Sequence, residues 1–190
     1  MNIVIFGPPG AGKGTQSKFI AQKYNLFQLS TGELLRKEIK NKTELGSKIS
    51  SIINSGELVS DNIVSNLIEK FISNDIYKQR LIFDGYPRSL AQVRNLENLL
   101  NKYNQKIDLV LKLSVSLDTI KKRISERKTR EKRLDDSEEI AIKRFKTYED
   151  STEPVIDYYK KSNLLKFVNG ETTISKINVE ISDLIDSIKG

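Results

Sequence analysis

The sequence contains no cysteine and no histidine. The first absence excludes disulfides, thiolate metal ligands and a cysteine nucleophile. The second removes the commonest general base and metal ligand. Whatever the chain does must rest on lysine, arginine, carboxylates, hydroxyls and backbone. Arginine is also scarce: nine residues, against 23 lysines. The rigid guanidinium fork suits bidentate contacts to anions, so a lysine-rich chain that keeps nine forks has reason to place them where geometry matters. No apolar run approaches the ~20 residues that span a bilayer. The N-terminus enters an apolar run at once, without a signal-peptide pattern. These absences lead us to expect a soluble cytoplasmic protein.

The formal charge of +7 comes from basic residues scattered among acids, with no arginine–aromatic cluster. That describes a solvated lysine-rich surface better than a nucleic-acid-binding one. At 190 residues and 21.7 kDa, with no repeat, low-complexity segment or linker, the chain reads as one domain. A chain of this size buries roughly 70% of its unfolded surface and needs no covalent staples.

The most informative stretch is Gly7 to Gln16, GPPGAGKGTQ, directly after Ile3-Val4-Ile5-Phe6. Four apolar residues bounded by glycine and proline read as a buried strand, and the residues from Gly14 onward as a helix. Glycines between them let the backbone turn and approach a ligand closely. Free N–H groups and the positive helix end then favour an anion. Lys13 can reach outer phosphates and Thr15 can offer a hydroxyl to Mg²⁺. The spacing Gly7-x4-Gly12-Lys13 fits a phosphate-binding loop (P-loop), but Gly14 displaces the hydroxyl by one place. Phosphoryl transfer suits a chain without histidine, because it needs positioning and charge stabilisation more than covalent help.

Along the chain, Ser17, Ile20, Ala21 and Tyr24 recur at helical spacing up to Asn25, and Leu26 to Ser30 reads as a second strand. A helix opens at Thr31-Gly32-Glu33, capped by Ser30 or Thr31, and Leu45, Ile49, Ile52 and Ile53 continue the pattern until Gly56. Ser60-Asp61 caps a further amphipathic helix. Leu81-Ile82-Phe83 is a third strand, followed by a helix from Ser89. Asp108 to Leu113 is a fourth strand and Leu117 to Arg127 a helix. The next helix carries Ala141, Phe145 and Tyr148, and Asp136 with Glu139 resembles its capping box. Leu164 to Val168 is the fifth strand, and Ile174 to Ile188 the last helix. Strands alternating with helices predict an α/β fold, a five-stranded parallel sheet covered on both faces. Ligands then bind beyond the carboxyl ends of the strands, where Lys13, Asp84 and Gly170 should converge.

Asp84 ends a strand, the placement of the acid that orients Mg²⁺ in P-loop enzymes. Arg88 follows after a Tyr-Pro pair that stiffens the turn. Arg123 and Arg127, four apart, project from one helix face. The segment from Lys128 to Asp136 is short and highly charged, and Arg144 lies beside the apolar stripe of the next helix. Asn101-Lys102-Tyr103-Asn104 lacks the aspartate of a guanine-reading motif and reads as a helix C-terminus.

Together these strings resemble the adenylate kinases over nearly the whole chain. The carrying residues are Gly7 to Gln16, Ser30 to Arg36, Leu58-Val59-Ser60-Asp61, Asp84 to Arg88, Gln92, Arg123 with Arg127, Arg133 to Asp136, and Arg144. The displaced hydroxyl at Thr15 is what nucleoside monophosphate kinases show. The resemblance implies the reaction Mg·ATP + AMP ⇌ 2 ADP. It implies that Gly10, Ala11, Gly12, Lys13, Gly14 and Thr15 hold the ATP phosphates, with Lys13 on the migrating group. Arg36 and Arg88 would clamp the AMP phosphate. Thr31, Gln92, Glu57, Leu58, Val59 and the turn Gly85-Tyr86-Pro87 would surround AMP. Arg123 would stack on the ATP adenine, and Gly170 to Thr172 would touch that base through backbone. Arg127, Arg133 and Arg144 would bind phosphate as a lid closes, the last two also reaching AMP. Mg²⁺ would be held through Asp84, by way of water, and through Thr15.

The same resemblance divides the domain into a core (1–29, 60–126 and 137–190), a monophosphate-binding segment (30–59) and a lid (127–136). Only about ten residues separate Arg127 from Asp136, which is the short-lid form. Without cysteine or histidine, a structural zinc in the lid is excluded. The expected partners are ATP, AMP and ADP, with no nucleic acid or membrane, and the expected state is a monomer. Two alternatives remain open: a UMP/CMP kinase, disfavoured by Thr31 and Gln92, and a basic nucleic-acid-binding protein with a vestigial P-loop.

Overall fold

A computed structural model describes residues 1–131 and 136–188, with the backbone alone at Arg130 and Glu131. Five strands form one parallel sheet: β1 (Ile3–Phe6), β2 (Phe27–Ser30), β3 (Leu81–Asp84), β4 (Leu109–Ser114) and β5 (Leu165–Asn169). Their order across the sheet is β2-β3-β1-β4-β5, with β1 central. All four residues of β1 are buried, as expected of a strand covered on both faces.

The strand pleat sorts the core into two layers. Val4, Phe6, Phe83 and Val110 face one side. There they meet α2 (Thr31–Lys40), α3 (Glu44–Asn54), α4 (Asp61–Ile72), α5 (Leu90–Lys102) and α7 (Glu138–Lys160). Ile3, Ile5, Ile82 and Leu111 face the other side, against α1 (Lys13–Tyr24) and α8 (Ile174–Ser187). Each fully buried Ile, Leu or Phe contributes roughly 1.5–3 kcal/mol of transfer free energy, so this double layer is the fold's main source of stability. A small third cluster, Ile120, Ile124 and Ala141, joins α6 (Leu117–Glu131) to α7. Because the strands are parallel, the loops leaving β1, β3, β4 and β5 emerge along one edge.

Four details differ from the expectations above. The continuous helical pattern through Ile53 is two helices, α2 and α3. Asn41 caps the first, Lys42 takes a positive φ of 53°, and the Thr43 side chain accepts from Gly46 N to cap the second. Asp136 does not cap α7. Ser137 does so, accepting from Ile140 N, because both oxygens of Asp136 are taken by arginines. Helix α6 runs four residues past Arg127, into the segment expected to be lid. Ser60 sits at the N-cap of α4 but makes no side-chain cap bond.

Candidate active site

The loop after β1 is built as its glycines demand. Gly12 caps α1 with φ 97°, a left-handed conformation that a side chain would strain, and no side chain caps the helix. The first backbone N–H groups of α1 therefore point into the loop without a side-chain acceptor. Lys13 folds back over the same loop, donating to Gly7 O at 2.7 Å and Pro8 O at 3.1 Å. Burial pushes its ammonium down to about 8. Asp84 opposes that shift, and Arg88, Arg144 and Arg127 reinforce it. A cation desolvated among other cations is the electrostatic signature of a site shaped for an anion.

Asp84 lies one strand over, level with Ile5, and is 7% exposed. Its Oδ2 accepts from Gln28 Nε2 at 3.1 Å. It faces Gly14, where a Cβ would stand 3.7 Å from that oxygen. Thr15 is exposed on the first turn of α1. The turn after β3 is equally constrained. Gly85 has φ 81°, and a Cβ there would come within 2.9 Å of both Arg88 Nη2 and Thr31 Oγ1. Thr31 Oγ1 donates to Gly85 O at 2.9 Å, and Arg88 Nε to the same oxygen at 2.8 Å. Burial lowers the Arg88 pKa; Asp84 works against that and Arg36 adds to it.

One cleft joins these parts. Gly7, Pro9 and Lys13 form its floor, and Thr31, Leu35 and Arg36 of α2 form one wall. Gly56 to Val59 form the rim, and Gly85, Pro87, Arg88 and Gln92 close the back. Arg144, Thr147, Tyr148 and Ser151 of α7 face them. Glu57 also ties that rim to α7 through Lys143, at 3.0 Å. Tyr86, by contrast, is packed in the core at 1% exposure, donating to Gln92 O, and does not line the cleft.

The other side of the P-loop is tied down by Arg123, which donates to Ala11 O at 3.2 Å and to Gly170 O at 2.8 Å. Gly170 is pressed against β4, and Thr172 Oγ1 donates back to Asn169 O. Arg127, one turn on, grips Asp136 through Nε at 2.7 Å and a second bond from Nη2. Arg144 Nη1 stands 3.7 Å from the same carboxylate, whose side chain is fully buried. One acid thus holds two arginines beside Lys13. Arg133 lies outside the described residues.

The structure therefore gathers Lys13, Asp84, Arg36, Arg88, Arg127 and Arg144 around one loop. Sequence reasoning passed over Gln28, which orients Asp84, and the part Tyr148 and Ser151 play in lining the cleft; Asp136, read there as a capping residue, instead pairs the two arginines. The spacing Arg144, Tyr148, Ser151 is one helical face, and could have been followed from Arg144. The Tyr148 hydroxyl is buried with no partner among the described residues.

A parallel sheet of order β2-β3-β1-β4-β5, whose central strand opens into an uncapped glycine loop and a lysine, defines the chain as a P-loop protein of the nucleotide-phosphate-binding class. The family model for adenylate kinase matches residues 5–164. An adenylate kinase of Pelagibacter ubique is 44% identical, covering 97% of this chain and 99% of its own. One from Porphyromonas gingivalis is 39% identical over 100% and 97%, and one from Archaeoglobus fulgidus 35% over 100% of both. The chain belongs to the adenylate kinase family. The alignments to the Pelagibacter and Archaeoglobus proteins run over 211 and 216 positions, and that to the Porphyromonas protein over 189. The family thus has longer and shorter members, and this chain of 190 residues is of the shorter kind. Among the described residues, no helix is long and apolar enough to cross a membrane.

Proposed function

We propose that this protein catalyses Mg·ATP + AMP ⇌ 2 ADP, as a cytoplasmic monomer. The observation that carries the reading is Lys13. It is a desolvated cation at the floor of the cleft, between the P-loop and the turn that holds Arg88. On this reading Gly10 to Thr15 hold the ATP phosphates through backbone N–H groups. Arg123 and the Gly170–Thr172 turn flank the ATP base. Arg36 and Arg88 clamp the AMP phosphate, while Thr31, Gln92, the Glu57–Val59 rim and the Gly85–Pro87 turn surround its nucleoside. Arg127, Arg133 and Arg144 spread over the transferring group, and the phosphates displace Asp136 from two of them. The attacking atom is a phosphate oxygen already ionised near pH 7 (second pKa about 6), so a site without histidine loses nothing. The 30–59 segment closes to exclude water, and the extra residues of the longer relatives are assigned to the lid.

The residues fit Mg²⁺ in the way that ion is usually held. No group of three or more acidic, His or Cys ligands occurs among the described residues. One buried carboxylate at Asp84, with water, Thr15 and substrate phosphates, is the donor set Mg²⁺ favours. Bound there, Mg²⁺ neutralises charge on the outer phosphates.

The Lys13 pKa gives a testable linkage. Its folded value lies below the unfolded one, so the unfolded chain binds the extra proton between about 8 and 10.5. This group therefore lets stability rise with pH across that window. A polyphosphate in the loop restores the charged form, so binding at about pH 8.5 is expected to take up protons. Calorimetry in buffers of different ionisation enthalpy reads this, and binding without proton exchange would contradict it. The function itself is tested by offering Mg·ATP with AMP, UMP, CMP or GMP in turn. Diphosphate should form rapidly with AMP alone; turnover of UMP or CMP in its place would support the pyrimidine reading.

A further inference from the structure

The side chain of Gln92 is 3% exposed and lines the cleft, yet both ends of its carboxamide are already engaged from behind. Arg88 N donates to Oε1 at 2.7 Å, and Nε2 donates to Asp61 Oδ1 at 2.6 Å. These partners are unambiguous. A backbone N–H can only donate, and an aspartate carboxylate can only accept. Turning the amide over would set NH₂ against N–H and carbonyl against carboxylate, losing two bonds at once. Asp61 is itself held, its Oδ2 accepting from Ser89 Oγ at 3.4 Å, while Ser89 caps α5 by accepting from Gln92 N. Asp61 opens α4, the helix that returns the chain from the 30–59 segment, and it is not part of the cleft wall.

The geometry points to Asp61 as a positioning residue that sets nucleobase specificity by fixing the polarity of Gln92. The inference rests on the proposed reading that Gln92 meets the base of the monophosphate. With one lone pair of Oε1 and one Nε2 hydrogen unspent, the locked amide offers an acceptor beside a donor in one spatial order. A 6-aminopurine presents the complement, an amino donor beside a ring-nitrogen acceptor. A 6-oxopurine presents the reverse, a keto acceptor beside a ring N–H, and would need the amide turned over. Asp61 thus makes the site reject bases that differ from adenine in polarity rather than in shape. The discrimination arises from a residue that touches no substrate. A site built from buried, unambiguous hydrogen-bond partners discriminates in this way because the wrong ligand leaves them unpaired.

The test compares AMP with IMP, its 6-oxo counterpart of almost the same shape. In Asp61→Asn the new amide can accept or donate, so turning Gln92 costs only the Arg88 bond. The ratio of kcat/KM for AMP over IMP is expected to fall about tenfold, through loss on AMP and gain on IMP. Asp61→Ala, which removes the acceptor, should move the ratio the same way. A merely structural role would lower both substrates by one common factor, and that result, or an unchanged ratio, would overturn the inference. Gln92→Leu, run beside them, separates the two layers. If it abolishes the AMP preference while Asp61→Asn keeps it, Gln92 reads the base and the lock is wrong. If Gln92→Leu keeps the preference, the reading of Gln92 is wrong and the inference falls with it.

Discussion

Replacing Lys13 with methionine is expected to cut phosphoryl transfer by about 10³-fold or more while leaving the fold intact. Lys13 sits at the floor of the cleft, and among the described residues its ammonium donates to two backbone carbonyls, Gly7 O and Pro8 O. Its charge is costly in the free protein, since burial and the surrounding arginines both push its pKa down. That cost is recovered only when phosphate arrives, which is what a group specialised for a charged transition state requires. Methionine keeps an unbranched apolar stem one atom shorter, loses the charge, and relieves the repulsion from Arg88, Arg144 and Arg127. Thermal stability should therefore hold while turnover collapses. A variant that turns over within tenfold of the parent would refute the role.

Arg88→Ala should lower kcat/KM for the monophosphate about 10²-fold or more, with little change in the Kd for ATP measured alone. Arg88 is aimed by three contacts: Nε to Gly85 O, its own N–H to Gln92, and its carbonyl accepting from Thr152 Oγ1. It sits on the Thr31 side of the cleft, next to Arg36, and away from Arg123 and Gly170. Arg88→Lys should recover little, because a point charge cannot reproduce the fork. Comparable losses for both nucleotides would show that Arg88 serves the P-loop instead.

The parts of the site legible in the sequence are those where backbone chemistry allows few alternatives. The glycine loop, the Asp84–Arg88 turn and the Ser30 cap each demand particular residues at particular spacings, and each stands where those residues predict. The parts that were not legible depend on partners distant in the chain. Asp136 followed by Glu139 fits a capping box locally, but Arg127 and Arg144 take its oxygens and Ser137 caps instead. The break between α2 and α3 hid behind an apolar period that continues across it, with only Lys42 and Thr43 to mark the turn. Gln92 could be named from its motif, but not the two groups that fix its orientation, one of them 31 residues away. Local rules place side chains on elements, and tertiary contacts decide what each side chain is left free to do.

The central claim is that a single cleft holds two nucleotides and passes one phosphoryl group between them. The direct measurement is to incubate the protein with Mg·ADP alone and follow all phosphates by ³¹P NMR. ATP and AMP should appear together in equal amounts, with no inorganic phosphate. Release of inorganic phosphate, or an inert ADP pool, would contradict it.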